Sequence, residues 1–246
     1  MMNNLAKALP LNHTFFNMVN LKSDSPQGLK MNVINKTGRL EVICGSMFSG
    51  KTEELMRRLK RAEYAKKNVL TIKHFIDQRA HQNYDCIFSH EGKQRKACLV
   101  GNDDASIVQL YDLVDASVSV VGIDEGHFFQ PNIVPAVQNL VAQGKYVLVA
   151  GLDLDFRGQP FPVMAQLMAL ADDVVKLKAI CVCCGQDAHH TQRLVNGKPA
   201  HYDDPIIMVG AEECYEARCR NCFSVVRTIS SEIILPAAGC TLEDIL

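Results

Sequence analysis

The sequence has no tryptophan and no long apolar run, and its charges nearly cancel. No stretch approaches the roughly 18 consecutive apolar residues that a membrane-spanning helix needs, so an integral membrane protein of that kind is excluded. The 26 lysines and arginines against 27 aspartates and glutamates give a formal net charge of −1. A nucleic-acid-binding protein usually carries a basic excess. The composition therefore predicts neither a membrane partner nor a nucleic-acid partner.

The pattern of a disulfide scaffold is also missing, although the chain has ten cysteines. Secreted disulfide scaffolds are short and densely bridged, whereas this chain has 246 residues and most of its cysteines are scattered. Its first 20 residues lack the basic start and the apolar segment of a secretory signal. We therefore expect reduced thiols and a cytoplasmic location.

Residues 1–38 differ in composition from the rest of the chain. They are rich in asparagine and show no sustained hydrophobic period, which predicts a poorly ordered N-terminal extension. A targeting peptide is the alternative, but the segment lacks arginine and clear amphipathicity. Beyond it, the sequence predicts a larger domain over residues 39–180, a small cysteine-rich domain over residues 181–228 and a tail over residues 229–246.

Short apolar runs alternate with amphipathic segments through the first of these domains. Strands are predicted at Leu40–Cys44, Asn68–Ile72, Val118–Ile123 and Tyr146–Ala150, and helices at Thr52–Lys67, Ala105–Leu113 and Ile133–Ala142. Strands that alternate with helices are joined by crossover connections, which make neighbouring strands parallel. The fold class predicted is therefore α/β, with a mostly parallel sheet that has helices on its faces.

The segment Gly45–Thr52 matches the G-x-x-x-x-G-K-[ST] pattern of a phosphate-binding loop, between a predicted strand and a predicted helix. Its glycines let the backbone wrap so that successive N–H groups point at phosphate oxygens. Lys51 would neutralise the β and γ phosphates of ATP, and the Thr52 hydroxyl would bind Mg²⁺. The predicted phosphate-binding residues are Gly45, Ser46, Met47, Phe48, Ser49, Gly50, Lys51 and Thr52.

The apolar strand at Val118–Ile123 is followed by two acids, Asp124 and Glu125. In a P-loop fold, the aspartate that holds Mg²⁺ lies at the carboxyl end of a strand beside the loop. Asp124 fits that position, about 70 residues after the loop. Glu125 would orient a water molecule in an ATPase, or accept a proton from a substrate hydroxyl in a small-molecule kinase. The two acids alone leave both roles open.

Two C-x-x-C pairs lie in the C-terminal part of the chain, Cys181 with Cys184 and Cys219 with Cys222. Four thiolates in two such pairs are typical of a closed, tetrahedral structural zinc site. The 34 residues between the pairs exceed the usual spacing of roughly 15–20, so a long loop is expected between them.

Other assignments of these cysteines are possible on sequence alone. A redox dithiol would explain one C-x-x-C pair but not both. Cys183 is an alternative to Cys181 as a ligand, although the C-x-x-C geometry is the commoner one. His189 and His190 would be spare ligands, but we expect them to be surface or loop histidines.

Several further segments occur in a specific order along the chain. Counted together with the motifs already described, the segments are Gly45–Thr52, Asp77–Arg79, Ile123–Phe129, Gly151–Phe161, Lys176–Cys181, Thr191–Arg193 and Val209–Tyr215. Together they resemble the zinc-bearing type II thymidine kinase family over about residues 39–223. The resemblance implies a P-loop, RecA-like sheet flanked by helices, with a small C-terminal zinc-ribbon or lasso domain.

The same resemblance implies a reaction. The protein would transfer the γ-phosphoryl group of ATP to the 5′-hydroxyl of thymidine, giving thymidine monophosphate for DNA synthesis. Glu125 corresponds to the family's general base, and Asp124 and Thr52 correspond to its Mg²⁺ positions. Lys51 and Arg79 correspond to residues that handle the phosphates.

A closed nucleoside site is a further implication, with the family's lasso between the cysteine pairs. Its predicted residues are Met47, Phe128, Leu152, Phe156, Phe161, Thr191, Met208, Val209, Gly210 and Tyr215. The resemblance also implies a homotetramer and feedback inhibition by thymidine triphosphate. Two residues depart from the family pattern: Ser46 stands where proline is frequent, and His127 where glutamine is common.

Two other classes of function fit parts of the sequence. A RecA-like ATPase or helicase would use Glu125 to activate water, but it needs a nucleic-acid surface and leaves the aromatic segments unexplained. A zinc-ribbon protein that senses nucleotide would bind without turnover, yet it needs neither Asp124 nor Glu125. Arg157 also has two interpretations, contact with phosphate or fixation of its own loop. We favour a nucleoside kinase.

Overall fold

The computed structural model describes residues 38–76, 86–88, 92–206 and 213–227. The predicted N-terminal extension and C-terminal tail lie outside the described residues, apart from Gly38. No helix in the part of the chain that the structure describes is both long and apolar enough to cross a membrane.

A six-stranded parallel sheet forms the centre of the protein. Its strands are β1 (Arg39–Gly45), β2 (Val69–His74), β5 (Cys98–Val100), β6 (Val120–Asp124), β7 (Tyr146–Gly151) and β8 (Asp173–Leu177). Their order across the sheet is β5-β2-β6-β7-β1-β8, and every neighbouring pair is parallel. The α/β prediction is therefore confirmed. Strand β8 was not predicted, and it lies at the edge beside β1.

Four helices cover the two faces of this sheet. They are α1 (Lys51–Tyr64), α2 (Asp104–Leu113), α3 (Ile133–Ala142) and α4 (Pro162–Leu170). The neighbouring residues Val42 and Ile43 of β1 point to opposite faces and belong to separate hydrophobic clusters. Ile43 packs in the cluster of α1, while Val42 packs in the cluster that contains residues of α2, α3 and α4. Burial on both faces explains why the strands are almost continuously apolar.

The phosphate loop and the residues that follow β6 and β7 all lie at the carboxyl edge of the sheet. β1 ends at Gly45, where the phosphate loop begins, and β6 ends at Asp124. β7 ends at Gly151, directly before Leu152. In parallel α/β sheets ligands bind outside this edge, at the carboxyl ends of the strands. A short 3₁₀ turn, Gly126–Phe128, follows β6 and keeps its residues near the same edge.

Small antiparallel sheets make up the rest of the described chain. They contain β3 (Cys86–Phe88), β4 (Gln94–Lys96), β9 (Ala179–Ile180), β10 (Asp187–Ala188), β11 (His190–Val195), β12 (Lys198–Pro199) and β13 (Glu213–Arg218). β9 pairs with β10, and β11 lies between β12 and β13. We call residues 179–206 and 213–227 the cysteine module. The segment between the cysteine pairs, expected to be a long loop, thus contains a three-stranded sheet in which β11 pairs with β13 over six residue positions.

Candidate functional site

The phosphate loop has a backbone that only glycine tolerates at its first position. Gly45 has φ 144°, and a Cβ atom there would lie 2.4 Å from the Leu177 carbonyl oxygen of β8. Such a separation is far inside van der Waals contact, so a side chain is excluded. Gly50, with φ 81°, lies directly before α1. The loop therefore turns sharply from the end of β1 into the first turn of a helix, where backbone N–H groups point outward.

Side chains within the loop fix its shape. The Ser49 hydroxyl donates to the Ser46 carbonyl oxygen at 2.8 Å, and the Lys51 ammonium group donates to the same oxygen at 2.7 Å. Two donors on one carbonyl keep the lysine head group close to the loop backbone. A positive charge and the N-terminus of α1 thus lie together, which is the arrangement that binds phosphate.

The two residues predicted to bind magnesium, Thr52 and Asp124, lie in contact. The Thr52 hydroxyl donates to Asp124 Oδ2 at 3.1 Å, and Asp124 Oδ1 accepts the Glu125 backbone N–H at 3.0 Å. Asp124 is buried at the end of β6. Oxygen ligands of this kind suit a hard cation such as Mg²⁺, which binds proteins through one or two carboxylates and keeps other positions for phosphate and water.

Glu125 is buried and has a left-handed backbone, with φ 52° and ψ 43°. A non-glycine residue in this region costs free energy, on the order of 1–3 kcal/mol, and persists where the surroundings require it. The turn brings its carboxylate to His127, where Oε2 lies 3.3 Å from Nδ1. The two adjacent acids thus have different surroundings: Asp124 contacts the phosphate loop, and Glu125 contacts His127.

Three of the predicted nucleoside-site residues meet at the His127 ring. The ring centroids of Phe128 and Phe161 lie 4.1 and 4.8 Å from that of His127. The Leu152 backbone N–H donates to His127 Nδ1 at 3.2 Å. Phe128, Leu152 and Phe161 are all half-buried. The end of β6, the end of β7 and the start of α4 therefore form one apolar wall.

Phe156 belongs to a different cluster, together with a buried arginine of the cysteine module. The Arg193 guanidinium lies 4.7 Å from the Phe156 ring centroid and donates to the Pro205 carbonyl oxygen at 2.6 Å. Its exposed fraction is 0%. Arg193 has no predicted role beyond its place in the Thr191–Arg193 motif, because an isolated arginine in a strand has no pattern that predicts burial.

Arg157 fixes its own loop. Its backbone N–H and its Nε both donate to the Asp155 carboxylate at 2.8 Å, and its guanidinium lies 5.4 Å from the Tyr202 ring. The Asp155 carboxylate also accepts the Gln159 backbone N–H at 2.9 Å. Of the two interpretations of Arg157, these contacts favour fixation of the loop that carries Phe156.

The cysteine module contacts the phosphate loop directly. The Met47 backbone N–H donates to the Thr191 hydroxyl at 3.0 Å, and the Ser46 hydroxyl donates to the Ala188 carbonyl oxygen at 3.4 Å. Thr191 is buried in β11. The structure thus brings together two residues that were predicted on separate grounds, Met47 from the loop motif and Thr191 from the resemblance.

Of the remaining residues outside the phosphate loop that are predicted to bind nucleoside or phosphate, the structure describes only Tyr215. Tyr215 is half-buried in β13 and lies opposite Arg193 in the ladder with β11. Arg79, Met208, Val209 and Gly210 lie outside the described residues. Predictions about these four therefore stay predictions.

The four predicted zinc ligands form one cluster: Cys181, Cys184, Cys219 and Cys222. Their sulfur atoms all lie within 4.8 Å of one another, and the Cys184 and Cys219 sulfurs are 3.6 Å apart. Tetrahedral Zn²⁺ with Zn–S bonds of about 2.3 Å requires sulfurs about 3.8 Å apart, so the residues fit this metal. Cys183 is exposed and does not belong to the cluster.

The backbone of the two C-x-x-C turns favours thiolates. Backbone N–H groups, first that of Cys219, lower the pKa of Cys181 to about 6, and the N–H of Cys222 lowers the pKa of Cys219. The thiol of Cys222 has a raised pKa because it hydrogen-bonds to Cys219. Each C-x-x-C pair thus has one thiol with a lowered pKa, Cys181 or Cys219, and one with a raised pKa, Cys184 or Cys222.

His190 differs from its prediction as a surface or loop histidine. It is buried in β11, with its ring stacked on Phe223 at 4.4 Å, and it is not part of the sulfur cluster. Burial lowers its pKa, so the ring is neutral at pH 7. The hydrophobic contact with Phe223, the residue after Cys222, connects β11 to the second cysteine pair.

Comparison with known protein families gives one match to this chain. A family model described as thymidine kinase matches residues 38–223. The matched range covers most of the chain and includes the phosphate loop, Asp124, Glu125 and all four clustered cysteines. Its limits agree with the range over which the sequence motifs occur.

Proposed function

The chain belongs to the thymidine kinase family, and we propose the following roles for its residues in the phosphorylation of thymidine. The protein is an ATP-dependent phosphotransferase that phosphorylates thymidine. One observation supports the assignment of its chemistry: the Thr52 hydroxyl, the Asp124 carboxylate and the buried Glu125 converge at the carboxyl edge of the sheet. This edge is where P-loop proteins bind nucleotide.

The phosphates of ATP would be bound by the loop. Backbone N–H groups of Gly45–Thr52 and of the N-terminus of α1 would donate hydrogen bonds to the phosphate oxygens, with Lys51 as the positive charge. The Thr52 hydroxyl and the Asp124 carboxylate would hold Mg²⁺, which supplies charge neutralisation between the β and γ phosphates. Arg79 would contact the phosphates as well, by its correspondence to the family motif.

Glu125 would be the general base. Its carboxylate would accept the proton of the thymidine 5′-hydroxyl while the 5′-oxygen forms a bond to the γ-phosphorus. The bond between that phosphorus and the β–γ bridging oxygen breaks, and ADP leaves with the electron pair. The position of Glu125 directly after Asp124, at the carboxyl end of β6, supports this role.

The nucleoside would lie against the apolar wall formed by Phe128, Leu152 and Phe161, with Phe156 and Met47 on neighbouring sides. Thr191 and Tyr215, with the backbone of residues 208–210, would contact the base and the sugar. Excluding water from such a site prevents hydrolysis of ATP in place of transfer. The link from Met47 to Thr191 supports a shared boundary between the phosphate and nucleoside sites.

The four clustered cysteines would bind structural Zn²⁺. Four sulfurs complete a tetrahedral shell and leave no position for a substrate, which distinguishes a structural site from a catalytic one. Zinc would hold the two ends of the cysteine module together. The α/β domain is proposed to end at residue 180, the last residue of β9, and the zinc-binding domain to cover residues 181–228.

The assembly and regulation of the protein follow from the family. We propose a cytoplasmic homotetramer that is inhibited by thymidine triphosphate at the nucleoside site, with no nucleic-acid or membrane partner. Exposed apolar side chains near the edge strand β8 support subunit association: Leu170, Val174 and Ile180. An open strand edge beside such side chains is a surface that proteins usually cover.

The test is a coupled assay of ADP release with Mg²⁺ and ATP. We expect ADP release only when thymidine is present, with thymidine monophosphate formed in equal amount. The proposed function would fail if ADP appeared at the same rate without thymidine and rose with DNA, because water would then be the acceptor. A Lys51→Met variant, assayed at equal concentration, controls for contaminating kinases and should be inactive.

A further inference from the structure

We propose that Asp153 and Lys176 are positioning residues for the reaction, and that their ion pair holds the apolar wall of the nucleoside site in place relative to the phosphate loop. The inference rests on the proposed function, in which the wall binds thymidine and the loop binds ATP. The two residues belong to the motifs Gly151–Phe161 and Lys176–Cys181, and neither binds substrate or moves a proton in the proposed function.

The pair joins a buried carboxylate to a half-exposed ammonium group. Lys176 Nζ lies 2.6 Å from Asp153 Oδ2, and the exposed fractions of the two side chains are 51% and 2%. Burial first, and the Asp153 charge second, raise the pKa of the nearby Cys44 thiol to about 11. A buried carboxylate is costly unless a positive charge compensates it. The burial of the acid therefore distinguishes this pair from a surface ion pair, which constrains the structure little.

The ion pair connects two strands that are not neighbours in the sheet. Asp153 follows β7, Lys176 lies in β8, and β1 lies between these strands. Cys44 of β1 pairs with Gly151 on one side and with Lys176 on the other. Neighbouring strands are about 4.8 Å apart, so β7 and β8 are separated by about 10 Å. The pair thus holds the end of β1 from both sides, at the residue before the phosphate loop.

Asp153 is also attached to the apolar wall through its backbone. It directly follows Leu152, and its carbonyl oxygen accepts the Phe161 N–H at 3.0 Å. This hydrogen bond closes the base of the loop that carries Phe156. Two members of the wall therefore depend on the position of Asp153, while the side chain of Asp153 is held by Lys176.

Lys176 is close to the phosphate loop in the same way. Leu177, the next residue, pairs with Gly45, and β8 packs so closely there that it leaves no room for a side chain at Gly45. In the proposed function the γ-phosphate lies at the loop and the 5′-hydroxyl lies beside the wall. The ion pair would therefore keep the distance between the two reacting groups constant, and a displacement of about 1 Å can lower a rate about 100-fold.

Asp153→Asn tests the role of the charge with little risk to the fold. The amide keeps the shape of the side chain and the backbone bond to Phe161, and the half-exposed Lys176 stays hydrated without its partner. We expect kcat to fall about 10-fold, whereas the Kd values of ATP and of thymidine, measured by calorimetry, should each change by less than about 3-fold. Lys176→Arg keeps the positive charge and should retain kcat within about 3-fold.

A second ion pair in the same region provides the matched control. Lys178 Nζ lies 2.7 Å from Asp187 Oδ2, but the Asp187 side chain is 57% exposed. Lys178→Met should therefore leave kcat and the melting temperature unchanged. Lys176→Met makes the same chemical change two residues earlier, and it should lower kcat about 10-fold or more.

A double-mutant cycle shows whether the two residues act as a pair. If they do, the variant that combines Asp153→Asn with Lys176→Met should lose no more kcat than Lys176→Met alone. The proposal is overturned if the two losses multiply, if Asp153→Asn keeps kcat within about 2-fold, or if the loss equals a fall in the number of ligand-binding sites per chain. A failed proposed function is recognised separately, because the original chain would then lack thymidine-dependent ADP release.

Discussion

Replacing Glu125 by glutamine should lower kcat by about 10²–10⁴-fold and leave ATP binding nearly unchanged. Glutamine has the same shape but cannot accept the proton of the 5′-hydroxyl at neutral pH, so the attacking oxygen stays a weak nucleophile. The phosphate loop keeps all of its own side chains in this variant, so its ability to bind nucleotide should be retained. The buried, left-handed position of the residue should be retained, since the amide has nearly the same volume.

The measurement combines steady-state rates with nucleotide titration. kcat is obtained from thymidine-dependent ADP release, and ATP affinity from calorimetry in the presence of Mg²⁺. Glu63→Gln makes the same chemical change on α1, where Glu63 pairs with Arg95 at 2.7 Å and is 47% exposed. This control should keep full activity. Near-normal turnover of Glu125→Gln would show that another group accepts the proton.

Replacing Cys219 by serine should remove bound zinc and abolish most thymidine-dependent turnover. Serine is a poor zinc ligand, and three sulfurs do not close the tetrahedral shell. Because metal binding stabilises the fold that presents the ligands, its loss costs several kcal/mol. For a chain of this size each kcal/mol corresponds to roughly 2–4 °C, so we expect the melting temperature to fall by roughly 10 °C.

Cys183→Ser is the matched control for this substitution. Cys183 lies between two of the clustered cysteines in sequence, but its side chain is exposed and outside the cluster. Zinc content by atomic emission, melting temperature and kcat should all be unchanged in this variant. The assignment fails if Cys219→Ser retains one zinc per chain and its original melting temperature, or if Cys183→Ser is the variant that loses the metal.

Much of the fold could be predicted because both faces of the sheet are buried. Strands such as β1 and β6 need apolar residues on both sides, and that requirement is visible as continuous apolar runs before Gly45 and Asp124. Strand β8 was missed for the opposite reason. It lies at the edge, its burial alternates between partial and exposed, and its pairing with β1 uses backbone groups that any side chain allows.

The candidate site likewise has features that the sequence predicts and features that it does not. The phosphate loop and the cysteine pairs are local patterns, since glycine conformation and C-x-x-C turns act over a few residues. The contact of His127 with Leu152 spans 25 residues, and no local pattern predicts it. The burial of Arg193 and His190 was also unpredictable, because each depends on an aromatic ring from another segment.

The hydrogen bond between Met47 and Thr191 has a consequence for synthesis of the protein. Its partners are 144 residues apart in sequence. At the usual ribosomal rates of about 5–20 residues per second, the segment between them takes roughly 7–30 s to translate. During that interval the nascent chain has a complete phosphate loop sequence but lacks the threonine that fixes it. The hydrogen bond that joins the phosphate loop to the cysteine module can therefore form only late in synthesis, after most of the chain has been made.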